Sequence, residues 1–184
     1  LVVLAGGKSS RMGSDKSDLI YRNRTFLEIQ MEKGKQLGIE EILVSGYRGS
    51  CCAGRIVMDR FVERGPLGGL EACFRQASSR RCLVLSVDTP LVSVSELQGL
   101  IEKDQIGNAR ATILQHGEKQ EPLIGIYDTG LADAMAEALG EGRGSVFAFL
   151  KKTGYGVYHS RGEELQFQNI NKKEHYQRLL QKLE

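Results

Sequence analysis

The sequence predicts an α/β protein in which helices cover both faces of a mainly parallel central sheet. Two observations lead there. Short aliphatic runs alternate along the chain with longer stretches of helical periodicity, the pattern of strand–helix–strand crossovers. The clearest runs, Leu1 to Ala5, Ile42 to Ser45 and Cys82 to Val87, are apolar at successive positions, as strands covered on both faces are.

Each element has a local reason. Shorter or more mixed strand candidates follow at Ile56 to Met58, Ala111 to Leu114, Leu123 to Tyr127 and Gly156 to Tyr158. Thr25 with Glu28, and Ser93 with Glu96, have the capping-box spacing that opens a helix. Leu70, Cys73, Phe74 and Ala77 recur at helical spacing and predict one buried face. Leu131, Met135, Ala138 and Leu139 make a second stripe, and Tyr176, Leu179, Leu180 and Leu183 a third near the C-terminus. These stripes are core packing rather than cofactor contacts. Gly140 to Gly144 is the most linker-like stretch, but apolar helix follows it directly, so a loop within one domain spanning residues 1–184 is expected.

Composition excludes several classes. Of 184 residues, 41% are hydrophobic and 26% charged, which argues against disorder and against a fibrous repeat. Lys plus Arg is 25 against 23 for Asp plus Glu, so a dedicated nucleic-acid or anionic-membrane binder is not expected. No apolar run approaches the ~18 residues of a membrane span. The opening Leu1–Gly7 is short for a signal-peptide core and has no basic residues before it, so a cytoplasmic protein is expected. The first residue is not Met, and a few residues are expected to precede it. The cysteines Cys51, Cys52, Cys73 and Cys82 have neither a disulfide framework nor zinc spacing, and reduced thiols are expected. His116, His159 and His175 lie in polar surroundings and read as surface residues.

In such sheets ligands bind beyond the carboxyl ends of the strands, and there the sequence is informative. The first strand is followed by Gly6-Gly7-Lys8-Ser9-Ser10-Arg11-Met12-Gly13-Ser14-Asp15-Lys16. Two glycines let backbone N–H groups approach a ligand closely, and Arg11 and Lys16 add cations, which together suit a phosphate. A turn with a solvated basic edge is the competing reading. A P-loop would need its first glycine at Val2, and the dinucleotide-binding spacing of glycines is absent. The strand Cys82 to Val87 runs straight into Asp88-Thr89-Pro90, which puts one carboxylate at the sheet edge, suited to Mg²⁺. Its alternative role, capping the next helix, is filled better by Ser93. Asp59 follows Ile56-Val57-Met58 in the same way and reads as a nucleotide or metal contact, or as a turn aspartate. Gly65-Pro66-Leu67-Gly68-Gly69 predicts another close-approach loop facing the site. Asn169 and Asn171 fall on one side of an extended chain and could read a polar substrate or satisfy local backbone.

These residues carry a resemblance. Leu4-Ala5-Gly6-Gly7-x-Ser9-Ser10-Arg11-Met12-Gly13-x-x-Lys16 resembles the opening motif of the molybdenum cofactor guanylyltransferases, the MobA-like family. Asp59, Gly65 to Gly69, Asp88-Thr89-Pro90 and Asn169-Ile170-Asn171 are similar to that family in order and spacing. The resemblance implies a three-layer α/β/α nucleotidyltransferase fold and transfer of GMP from GTP to molybdopterin with release of pyrophosphate. It implies that Leu4, Ala5, Gly6 and Gly7 line the nucleotide and that Lys16 and Asp59 bind it. It further implies that Asp88 holds both nucleotide and Mg²⁺, that Arg11 steadies the departing pyrophosphate, and that Asn169 and Asn171 face the pterin. Transient contact with other cofactor-biosynthesis proteins is the partner class it implies. Two positions depart from the family pattern: Ser45 stands where some members have Asn, and Lys172-Lys173 where Thr-Pro is common. Two alternatives stay open, a cytidylyltransferase acting on molybdopterin or another phosphorylated acceptor, and a catalytically silent nucleotide sensor. Gly6, in place of the alanine of the cytidylyl relatives, leads to an expected preference for GTP by leaving room for a purine.

Overall fold

A computed structural model describes residues 1–6, 15–49 and 53–181 of the chain. Its centre is a seven-stranded sheet built from β1 (Val2–Leu4), β4 (Leu43–Ser45), β5 (Arg55–Val57), β6 (Arg81–Ser86), β7 (Ala111–His116), β8 (Lys119–Asp128) and β9 (Gly156–His159). The order is β5-β4-β1-β6-β8-β7-β9, with β8 antiparallel to both neighbours and every other pairing parallel. A small hairpin, β2 (Ile20–Tyr21) and β3 (Arg24–Thr25), stands apart. Its turn residues Arg22 and Asn23 both have positive φ, as the tightest hairpin turn requires, yet neither is the glycine that would signal it.

Alternation along the strands divides the core into two layers. Val2 and Leu4 of β1, Leu43 of β4, and Cys82 and Val84 of β6 face one side. They pack there with α2 (Pro66–Gln76), α4 (Ala132–Gly140) and α5 (Val146–Thr153), through Leu70, Phe74, Met135 and Phe149. Val3, Val44, Leu83 and Leu85 face the other side, against α1 (Phe26–Gln36), α3 (Val94–Gln105) and α6 (Lys173–Gln181), through Phe26, Met31, Leu97, Leu100 and Leu179. The three-layer α/β/α arrangement is therefore the one the sequence predicts. Each fully buried aliphatic or aromatic side chain adds about 1.5–3 kcal/mol through removal of apolar surface from water.

The capping box at α1 is complete: Glu28 N–H donates to Thr25 Oγ1 at 3.1 Å, and Thr25 N–H donates to Glu28 Oε2 at 2.7 Å. At α3 only half of it forms. Glu96 N–H donates to Ser93 Oγ at 3.3 Å, but Ser93 N–H donates to Gln166 Oε1, also at 3.3 Å. Glu96 turns instead toward Tyr158, whose hydroxyl is pushed up by burial and by that carboxylate.

All seven sheet strands differ from their expected limits, most by a residue or two at an end. The second run begins at Leu43, β5 starts one residue before Ile56, and β8 extends to both sides of Leu123–Tyr127. Between Ile113 and Leu114 the β7–β8 register shifts, so that Glu121 pairs with Leu114 and Gly125 with Ile113. Pro122 sits in that irregularity, where its missing N–H breaks no ladder bond, and the Tyr127 hydroxyl donates to its carbonyl.

Candidate active site

The register of the sheet assembles the site. Leu4 pairs with Ser45 on one side and Ser86 on the other, and Ser45 pairs with Val57. Four parallel strands thus end level, and the residues just beyond them, Ala5-Gly6, Gly46, Asp59 and Asp88, share one edge. Asp59 follows β5 and Asp88 follows β6, three strand spacings away, or roughly 14 Å along the edge.

Asp88 is the centre of the polar contacts. Lys16 opens a short 3₁₀ turn, Lys16–Asp18, in which Ser17 N–H donates to Asp15 Oδ1 at 3.0 Å. The buried Ser17 hydroxyl donates to Ala5 O at 3.1 Å, tying this turn back to the end of β1. Lys16 Nζ stands 3.8 Å from Asp88 Oδ2 and donates to Asn171 Oδ1. Ile170 N–H donates to Asp88 O at 2.7 Å. In the orientation that satisfies its neighbours, the Asn169 amide donates to Asp88 Oδ1 and accepts from Lys119 Nζ, each at 3.2 Å. Lys16, Asp88, Asn169 and Asn171, far apart in the chain, meet at one point. Lys16, Asp88 and Asn169 are half-buried, which strengthens the charge-assisted contacts among them over the same ones in water.

Asp59 lies on the other flank. Ser45 Oγ donates to Asp59 Oδ1 at 2.7 Å, so the residue that departs from the family pattern aims this carboxylate. A Cβ on Gly6 would lie 3.0 Å from Gly46 Cα, so the bare Cα of Gly6 lets two strand ends pack. The expectation for Gly65 to Gly69 is corrected. In Gly65 to Gly69, Pro66 occupies the first turn of α2. A Cβ on Gly68 would meet Phe61 O at 3.1 Å and one on Gly69 would collide with Ser45 Oγ, so the close approach is of a helix to protein atoms. Gly7 and Arg11 lie outside the described residues.

A cleft of about 580 Å³ opens beside Asp88, lined by Asn169, Asn171, His116, Lys119, Phe167 and His175 among others. Lys119, His116 and His175 are site residues the sequence reading missed, and two of the three histidines are not the surface residues it expected. His116 stacks on Phe167 with ring centroids 4.6 Å apart and lies 3.3 Å from Glu121 Oε1, which also pairs with Lys119 at 2.5 Å. His175 Nδ1 donates to Asn169 O at 3.0 Å, which leaves Nε2 as the remaining ring nitrogen. Only His159 is exposed.

The donor set restricts the chemistry. Cys73 and Cys82 are free and buried. Burial pushes the Cys73 thiol up to about 12 and raises Cys82 as well, so neither is a nucleophile near neutrality. No group of three or more His, Cys, Asp and Glu among the described residues could hold a metal. Asp88 offers a single hard carboxylate, the set that suits Mg²⁺ when phosphate oxygens and water complete the shell. No helix among the described residues is long and apolar enough to cross a membrane.

Comparison with known proteins bears on the family and the fold. A family model described as a MobA-like NTP transferase domain matches residues 1–154. A molybdenum cofactor guanylyltransferase of Syntrophotalea carbinolica is 32% identical over 96% of this chain and 88% of its own length. A protein of the same name from Xanthomonas euvesicatoria is 39% identical over 56% of this chain and 54% of its own. In fold, the chain is similar to molybdopterin-guanine dinucleotide biosynthesis protein A of Archaeoglobus fulgidus, at TM-score 0.83 and 22% identity, covering 99% of this chain and 97% of that one. It is also similar to 2-C-methyl-D-erythritol 4-phosphate cytidylyltransferase of Thermus thermophilus, at TM-score 0.70 and 19% identity, covering 98% and 96%. At those identities the two structural likenesses speak for the fold.

Proposed function

The chain belongs to the MobA-like NTP transferase family, and from that membership we propose that it transfers GMP from GTP to molybdopterin, releasing pyrophosphate. The observation that carries the reading is the meeting of Lys16, Asp88, Asn169 and Asn171 beside an open cleft at the edge where the parallel strands end. The relatives' names supply the substrates, and the geometry is in keeping with them.

GTP lies across the strand ends, its base and ribose toward Ala5, Gly6 and Asp59 and its phosphates toward Lys16 and Asp88. Molybdopterin enters the cleft, with its terminal phosphate near Asn169, Asn171 and Lys119. That phosphate attacks the α-phosphorus in line, opposite the departing pyrophosphate, and a new P–O–P bond forms as the old one breaks. The nucleophile is already ionised near neutral pH, so no strong general base is required. Two anions must meet, and positioning and charge neutralisation dominate the rate. Lys16 exchanges its present contacts with Asp88 and Asn171 for the α-phosphate, and Arg11 and the backbone at Gly7 hold the other phosphates. Asp88 would hold Mg²⁺, which when bound neutralises phosphate charge. Residues 1–184 act as one nucleotidyltransferase domain in this reading, and a cytoplasmic setting is in keeping with the free thiols Cys73 and Cys82.

Pyrophosphate release measured with each common nucleoside triphosphate, with and without Mg²⁺ and molybdopterin, tests the reading. Release that requires GTP, Mg²⁺ and molybdopterin together is expected. Nucleotide binding without release would point to a silent sensor and overturn the proposal.

A further inference from the structure

We propose that Gln30 and Lys33 are positioning residues for the Asp88 carboxylate, holding from beneath the turn that carries it. The two residues are three apart on α1 and so face the same way. Gln30 Nε2 donates to two carbonyls of that turn, Ser86 O at 2.6 Å and Thr89 O at 3.0 Å. Lys33 Nζ donates to a third, Pro90 O at 2.8 Å, and to Gln30 Oε1, also at 2.8 Å, which locks the amide in the orientation it needs. Asp88's own carbonyl is taken by Ile170 N–H, and Val87 N–H donates to Leu4 O at 3.1 Å. Four of the five carbonyls from Ser86 to Pro90 are thereby bound by groups outside the turn. A turn fixed at so many points leaves its Asp88 side chain little freedom of aim.

The choice of residue is costly, which argues for a purpose beyond packing. Gln30 is fully buried and Lys33 is 7% exposed. Both oxygens that Lys33 donates to are neutral, and an ammonium buried without a counter-charge loses hydration it does not regain. Burial lowers its pKa accordingly, to about 7. A leucine or methionine would fill the same space at no such cost, but neither has a donor to reach Pro90 O. Neither Gln30 nor Lys33 belongs to the ligand-contacting set proposed above. They act through the turn, as the hydrogen-bond partners of metal ligands commonly do.

The inference rests on the reading of Asp88 as the metal ligand, so the test separates the two. The probe is the affinity of the whole protein for GTP, measured by titration calorimetry with Mg²⁺ and again in its absence. Wild type should gain affinity with the metal, and Asp88→Asn should lose that gain. Gln30→Glu, which keeps volume and the acceptor for Lys33 but loses both donations, and Lys33→Met should each lose about tenfold or more of the gain while the metal-free affinity stays the same. If Asp88→Asn abolishes the gain and both other variants keep it, the positioning role is wrong, whatever happens to their melting temperatures. If Asp88→Asn keeps the gain, the metal reading fails and this inference with it. Should one variant fold poorly, the other reports independently, because each removes a different donor.

Discussion

Replacing Lys33 by Met should change how stability responds to pH, in a direction the structure fixes. Burial lowers the Lys33 amine from its usual 10.5 to about 7. Below about pH 7 both folded and unfolded chains carry the proton, and the cost of burying the charge is fully present. Between about 7 and 10.5 the unfolded chain keeps the proton and the folded chain has shed it. The unfolded state then binds more protons, so this residue makes stability rise with pH through that window. Between about pH 7.5 and about pH 9.5 the contribution amounts to about 2–3 kcal/mol. Cys73 and Cys82 act in the opposite sense. Their raised pKa values keep them protonated in the fold while the unfolded thiols ionise, so they lower stability as pH rises through 9. The difference between wild type and Lys33→Met cancels the thiols and isolates the lysine. Denaturant unfolding of both proteins at the two pH values should show the wild type gaining about 2–3 kcal/mol relative to the variant at the higher pH. A difference that stays the same at both would mean that Lys33 remains charged and solvated in the native protein, and the bolt beneath the Asp88 turn would not exist as described.

Asp88→Asn is nearly isosteric and should leave the melting temperature within a few degrees while lowering turnover about 10²-fold or more, checked at saturating Mg²⁺. Lys16→Ala removes the half-buried pair with Asp88 and the hydrogen bond to Asn171 and should cost only a modest part of the stability, yet lower kcat/KM for GTP by a comparable factor; normal kinetics with a large loss of stability would refute its role. Gly6→Ala drives a methyl to within 3.0 Å of Gly46 Cα, so it should cost about 1–3 kcal/mol of stability and weaken GTP and CTP alike. A selective loss of GTP with an unchanged melting temperature would show instead that Gly46 yields to the methyl and that only the base feels it.

The layers of the fold and one edge of the site are legible in the sequence because both follow from strand ends. The runs Leu1 to Ala5 and Cys82 to Val87 are short and aliphatic, and Gly6 and Asp88 come directly after them, so placement follows from chain order alone. The hairpin at Ile20–Thr25 is not legible, because Arg22 and Asn23 adopt left-handed backbone without a glycine to announce it. Lys119, His116 and His175 escape for a different reason. Their place in the cleft depends on the β7–β8 turn meeting the chain after β9, and nothing local encodes such an encounter. Gln30 and Lys33 are not legible as buried residues, since a side chain's type does not reveal that a turn more than fifty residues away covers it. Asn169 and Asn171 are half legible: period-two spacing puts them on one side, but only the fold brings Asp88 and Lys16 to meet them.

The central claim is guanylyl transfer to molybdopterin, and base choice tests it most directly. The measurement is kcat/KM for GTP and for CTP, each with molybdopterin as acceptor and Mg²⁺ present. Discrimination by pocket shape is typically worth about 10–200-fold, and a GTP preference in that range is the predicted result. A protein that favours CTP would contradict the account and make this chain a cytidylyltransferase built on the same fold.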